Sequence, residues 1–346
     1  MKKISKKGIS LIVLIVTIII VIILAAVVIL TISRDGGIIN KARYAKDEYN
    51  KIEYRDRINE AYTIVKNKQE MQGKPDREIF EEVKKSLNFD KAKYEISDKS
   101  MNITTKEGYE YTLIGDGNVY NEKVVILDIA DGNIDLYSNG YKQYIGALER
   151  LNKNGATTYT GKYIITGKTT ENVVRVCDVG NYDITIKDLY IDVSQSNYSA
   201  FNANRGNKPI ECFVNLTLEG RNYLKGGNGP GLGWAGASIN LDGAKNGGSI
   251  LTIMGNGYLD VYGGDMQWTS AIGNCYSGGD AGGEVNNIII NGGNIKAIGS
   301  TNGSGIGSTN NGKVNNIVIN DGNIEAVGSN YGAGIGAAGT VASRNS

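Results

Sequence analysis

Two stretches decide the fold: VNNIIINGGNIKAIGSTNGSGIGS, Val285–Ser308, and VNNIVINDGNIEAVGSNYGAGIGA, Val314–Ala337. Laid over each other they match at a spacing of 29, Val285 on Val314 and Ile306 on Ile335. Looser copies precede them. One runs from SILTIMGNGYLDVYGG to Ile272, another from NLTLEGRNYLKGG through Leu232, and YDITIKDLYIDVSQSNYSAFNA and GKYIITGKTTENVVRVCDVG keep the same rhythm. Short β runs separated by Gly/Asn turns at a period near 30 are the signature of a solenoid. In each coil two or three short strands stack in parallel on those of the next, about 4.8 Å away. The pattern predicts that Ile317 and Ile319 point inward, and Ile324 and Val327 after a turn. Gly334-Ile335-Gly336 then inserts one apolar residue at a third, tight edge. The expectation over 157–346 is an all-β, right-handed parallel β-helix of about six coils.

Asparagines fall at equal phase in the two copies: Asn287 with Asn316, Asn291 with Asn320, Asn294 with Asn323. Two readings stand side by side, an amide ladder along the stack and turn residues that tolerate left-handed backbone. After Gly334–Gly336 no polar cap follows, and a solenoid needs one. The reading at this stage is therefore of further copies beyond Ser346.

Composition excludes several classes. The formal charge of the 346 residues is +1, which predicts no bulk attraction to nucleic acid. There is no histidine, so the commonest metal ligand and neutral-pH base are missing. Cys177, Cys212 and Cys275 form no CxxC pair and suggest no zinc site. Cys177 and Cys212, about one repeat apart, either stack in adjacent coils or are small buried hydrophobes. No cofactor is expected.

The other end reads differently. Ile9–Ile32 carries no charge, and 24 residues of helix extend roughly 36 Å, enough to cross a bilayer. This run is too long for a cleavable signal. Lys2, Lys3, Lys6 and Lys7 precede it, which predicts a cytoplasmic N-terminus and a single-pass anchor with the remainder outside the cell. Residues 36–72 read as a charged, amphipathic stem helix that begins after Asp35-Gly36-Gly37 and ends at Gly73. Its apolar stripe is Ile39, Ala42, Ala45, Tyr49, Ile52, Ala61 and Val65. Residues 73–150 read as a small α+β region: a helix in PDREIFEEVKKSL, with acids early and lysines late, and then short antiparallel strands.

The N-terminal pattern, a basic leader 1–8 ending in Lys-Lys-Gly and an aliphatic helix over 9–32, resembles type IV prepilins and pseudopilins in their Gram-positive variant. The resemblance implies cleavage between Gly8 and Ile9 by a prepilin peptidase, and partnership with pilus or type II secretion-like machinery. The family's glutamate at the fifth mature position is Val13 here, which weakens the implication of polymerisation more than that of processing. The repeat region resembles pectate-lyase-like β-helices and, more closely, the Gly-rich repeats of bacterial surface proteins classed as carbohydrate-binding. That implies a polysaccharide partner.

For glycan binding the sequence offers aromatic rings at one phase. Trp268 lies four residues before Ile272, Tyr331 four before Ile335, and Asn302 holds the place between them; Trp234 follows Leu232 in another copy. Asp265, Asp280 and Glu284 supply polar contacts or a calcium site. A lyase or hydrolase on the same fold would need a strong base or a carboxylate pair. Charges are sparse in the coils and no such pair is evident, so catalysis is not expected. A spacer or filament subunit without a ligand needs no site at all.

Overall fold

The computed structural model describes residues 11–33, 38–148, 155–159, 161–203, 212–228, 236–241, 249–265, 268–274, 284–309 and 312–338. They form two compact units, Met1–Glu122 and Lys123–Ser346. The residues from Lys123 to 150, inside the span 73–150 expected to be α+β, thus belong with the solenoid.

In the first unit, helix α1 spans Leu11–Ser33, α2 spans Ile38–Lys66 and α3 spans Asp76–Leu87. The 23 residues of α1 are uncharged. No helix among the described residues is long and apolar enough to cross a membrane. The described side chains of α1 are those of 15–25 and Val27, a shorter run than the backbone helix itself. They are exposed, with Ile22 at 61%. Helix α3 starts with Asp76 and Glu78, ends with Lys84 and Lys85, and is closed by Asn88 in the left-handed region (φ 42°), as charge–dipole complementarity and asparagine's tolerance of that region favour. Its buried face of Ile79, Phe80, Val83 and Leu87 meets Ile58, Tyr62 and Val65 of α2, and Met101, Ile103, Tyr111 and Leu113 of an antiparallel four-stranded sheet. Only the C-terminal half of the α2 stripe is used in this way. Tyr44, Tyr49 and Ile52 remain 69%, 66% and 47% exposed.

The second unit is a parallel β-solenoid with three ladders. The first stacks Val124–Asp128, Lys162–Thr166, Gly180–Lys187, Cys212–Glu219, Ile250–Gly255 and the opening halves of Glu284–Thr301 and Lys313–Ser329. The second stacks Lys168–Thr169, Tyr190–Asp192, Arg221–Lys225, Tyr258–Tyr262 and the closing halves of those same two long strands. The third stacks Asn133–Tyr137, Val174–Val176, Phe201–Asn202, Ile239–Asn240, Ile272–Gly273, Ile306–Ser308 and Ile335–Ala337. At the starting edge of the third ladder, Gly140–Tyr144 and Thr157–Thr158 turn antiparallel and cover it.

Alternation along each strand builds the core in columns. Ile184, Leu216, Ile253 and Ile290 form one, Ile191, Leu224, Val261 and Ala297 another, and Val174, Phe201, Ile239, Ile272 and Ile306 a third. All are at most 1% exposed. Each large aliphatic contributes about 1.5–3 kcal/mol by leaving water. The isoleucine of the Gly-Ile-Gly turn does enter the third edge. Two expectations are corrected. Val327 faces outward and Ala326 inward, because strict alternation runs on from Ile324. The residue matched to Ile272 one coil earlier is Ile239, not Leu232.

The glycines of that turn have a specific cause. Gly273 and Gly307 hold φ of +144° and +137°, and a Cβ on either would lie 1.7 Å or 1.9 Å from the carbonyl oxygen of the next coil's glycine. Only hydrogen fits.

Cys177 and Cys212 are buried free thiols, and burial above all pushes Cys212 up to about 11. Cys275 lies outside the described residues. The asparagine ladder forms: Asn320 Nδ2 donates to Asn291 Oδ1 (2.7 Å) and Asn323 Nδ2 to Asn294 Oδ1 (2.9 Å). One charge pair lies inside the wall. Arg175 and Asp135, both 2% exposed, meet side by side in the third ladder, with Arg175 Nε donating to Asp135 Oδ1 (2.5 Å) and Nη2 donating to Oδ2 and to the Tyr144 hydroxyl.

Candidate functional site

Of the sequence-predicted residues, Trp268, Asn302, Tyr331 and Asp265 lie at the corner where the chain leaves the second ladder for the third. Ile272, Ile306 and Ile335 are register partners. Trp268 and Asn302, four residues before the first two, share one place in successive coils, whereas in the third coil Asn330 holds that place and Tyr331 follows it, because Thr301 pairs with Ser329 across a register shift. Two rises separate Trp268 from Tyr331, about 10 Å. The backbone binds the stack: Trp268 N donates to Thr301 O (2.7 Å) and Asn302 N to Ser329 O (3.0 Å).

This corner is locally strained. Trp268 (φ 64°) and Asn302 (φ 61°) both occupy the left-handed region. Asparagine tolerates it, whereas a bulky ring there is an outlier costing roughly 1–2 kcal/mol. In the next coil the left-handed residue is Asn330 (φ 53°), one position earlier. Tyr331 is thereby released, 56% exposed and without a ring partner among the described residues. The Asn302 Oδ1 is buried and has no hydrogen-bond partner.

Asp265 lies on the same corner. Its carboxylate accepts from Lys225 Nζ (3.1 Å) and Asn228 Nδ2 (2.9 Å), and its N–H donates to Asn228 Oδ1 (2.5 Å). Partial burial acts to raise its pKa, but the hydrogen bonds from Asn228 and Lys225 outweigh this and hold it below the usual carboxylate range. A carboxylate engaged in this way has two protein donors where a calcium ion would need it. Among the described residues no group of three His, Cys, Asp or Glu side chains is placed to hold a metal. Asp280, Trp234, Gly8 and Ile9 lie outside the described residues, and of Glu284 only the backbone is described.

The outward face of the second ladder, adjoining the corner, carries an aromatic ladder that sequence reasoning did not find. Tyr190 and Tyr223 are register partners with rings stacked at 4.7 Å and 11°, and Tyr262 leans on Tyr223 at 5.4 Å. Lys168 Nζ sits 4.6 Å over Tyr190, and Arg221 4.7 Å over Tyr258. The signal was present in DLYIDV, RNYLKG and GYLDVYGG, each with tyrosine in the second strand of its coil. The stacking consumes the faces of Tyr190 and Tyr223, so this row acts first as cross-strand stabilisation, about 0.5–1.5 kcal/mol per pair. Burial first, then the negative charge of Asp192, pushes the Tyr223 phenol up to about 12, so it stays protonated at neutral pH.

No protein-family model, no characterised protein and no solved structure matches the chain. What the fold defines is a parallel β-solenoid. Chemically, its corner combines an exposed ring, a half-buried strained indole, an unsatisfied amide acceptor and a held carboxylate. Rings that cover apolar sugar faces beside groups that bond hydroxyls are the means of saccharide recognition.

Proposed function

We propose that the chain is a membrane-anchored, pilin-like surface protein whose solenoid binds polysaccharide at the corner of Trp268, Asn302 and Tyr331. The observation that carries the binding half is the Asn302 side-chain carbonyl oxygen, buried and unpartnered in the coil next to Trp268. A buried acceptor without a donor costs roughly 1–3 kcal/mol, a cost that a sugar hydroxyl relieves once the side chain turns outward to meet it. Anchoring rests on the sequence: the uncharged run Ile9–Ile32 behind Lys2, Lys3, Lys6 and Lys7. Cleavage after Gly8 rests on the prepilin resemblance.

The test is binding of the detergent-solubilised chain to polysaccharides by affinity electrophoresis, with Tyr331→Ala and Asn302→Ala beside the parent. Each should lose about tenfold, the ~1.4 kcal/mol of one anchoring contact. Retardation unchanged in both variants refutes this placement of the site. Mass spectrometry of the mature N-terminus tests processing, and a chain that retains Met1 through Gly8 refutes it.

A second reading has its own support. Tyr44, Tyr49 and Ile52 leave an apolar strip of α2 exposed, the kind of surface a filament subunit packs against its neighbours. On that reading the solenoid is a rigid displayed body without a ligand.

A further inference from the structure

We propose that the polysaccharide bound at this corner is uncharged. The inference rests on the reading of the corner as a glycan site and goes on to name the ligand class. Recognition of a polyuronate or a sulfated polymer requires cations whose charge is available, usually arginine or lysine set to meet carboxylate or sulfate. The cations of this face are already engaged within the protein. Lys225 Nζ lies 3.1 Å from both carboxylate oxygens of Asp265. Lys296 Nζ is 3.4 Å from Glu325 Oε1. Lys168 and Arg221 lie over the rings of Tyr190 and Tyr258.

Two acids of this face stand outside these pairs. Asp260 shares a register row with Lys168, Tyr190, Tyr223 and Lys296, and Asp192 pairs in register with Lys225. Neither has an ion-pair partner among the described residues. A polyanion laid along the corner would meet these carboxylates, and like charges brought together at an interface are repulsive. What the corner offers besides these is neutral: the phenols of Tyr223 and Tyr331 and the Asn302 side-chain carbonyl.

The experiment sets neutral polymers (a β-glucan, a mannan, a xylan) against anionic ones (polygalacturonate, alginate, hyaluronan). It uses the full chain in polyoxyethylene detergent, at low and physiological salt, with EDTA or with calcium. The expected result is retardation by a neutral polymer, insensitive to salt and EDTA, and none by the anionic set. Binding to anionic polymers alone, weakened by salt or dependent on calcium, overturns the uncharged class and leaves the glycan site standing. No retardation by any polymer, with a folded chain by circular dichroism, overturns both. The double variant Lys168→Gln/Lys296→Gln separates the cases further. A neutral ligand leaves affinity within about twofold, whereas a loss of about tenfold or more, the ~1.4 kcal/mol of a charged contact, refutes the inference.

Discussion

Replacing Gly307 by alanine tests the physical account of the Gly-Ile-Gly turn. The new Cβ would stand 1.9 Å from Gly336 O, at a φ of +137°. Ordinary contact needs about 3.2–3.4 Å, so the two coils must part by more than 1 Å. Besides the ladder bonds of the paired strands, three bonds flank this edge: Gly305 N to Ala333 O (3.0 Å), Ile306 N to Gly334 O (2.9 Å) and Ala338 N to Ser308 O (3.0 Å). At about 1 kcal/mol net each, their loss costs roughly 3 kcal/mol. Backbone strain at that φ adds roughly 1–3 kcal/mol, for a total near 4–6 kcal/mol. Gly336→Ala is the internal control. Its φ is +124°, but among the described residues its Cβ meets only Ala333 Cβ, at 3.9 Å, so the strain stands alone. Hydrogen–deuterium exchange over 303–309 and 333–338, with urea denaturation of the full chain, reads both. Gly307→Ala should strip protection from Ile306 and Ala338, and Gly336→Ala should leave most of it. Equal effects from the two variants refute the claim that carbonyl contact between coils selects glycine here.

Three further outcomes follow from the packing. Arg175→Met strands the buried Asp135 carboxylate and should cost about 3–5 kcal/mol, while Arg175→Met with Asp135→Leu should recover most of it, because the pair's desolvation offsets its attraction; a double variant as unstable as the single would contradict this in urea denaturation. Ile290→Ala, at 0% exposure, should destabilise by about 2–5 kcal/mol, and Ile319→Ala, its register partner at 42%, by less than half of that in the same assay. The Asp265 contact has a pH signature. Its folded pKa is depressed, so its contribution is complete above the unfolded value near 3.9 and is lost as pH falls through the lower folded value. An NMR titration of the Asp265 carboxyl in Lys225→Met should move its midpoint up towards the ordinary range, and an unmoved midpoint would show that Lys225 does not hold it.

Much of the solenoid was legible because its causes are local. The 29-residue repeat, the alternation of Ile288 and Ile290, and glycine on both sides of Ile306 each express a constraint on one strand or turn. The same holds for the asparagines at equal phase, whose ladder then formed. The shared phase of Trp268 and Asn302 expresses the same kind of constraint, but the register shift that puts Asn330 rather than Tyr331 in the next coil does not show in the repeat. The boundary of the α+β region is not legible in the sequence because a strand's partner decides it: Val124–Asp128 looks like any short strand until it pairs with Lys162–Thr166.

The sequence by itself determined that coils stack, which residues are small enough for the tight edge, and that the protein carries no histidine chemistry. Tertiary structure alone decided which side chains meet across coils. Ile239, not Leu232, lies under Ile272, and Tyr190 lies on Tyr223. Arg175 finds Asp135, and Asp265 closes on Lys225 and Asn228. The reason is physical. Alternation and turn chemistry act over a few residues, but register between coils depends on loops of unequal length, and a shift of one residue sends every side chain of a strand to the opposite face.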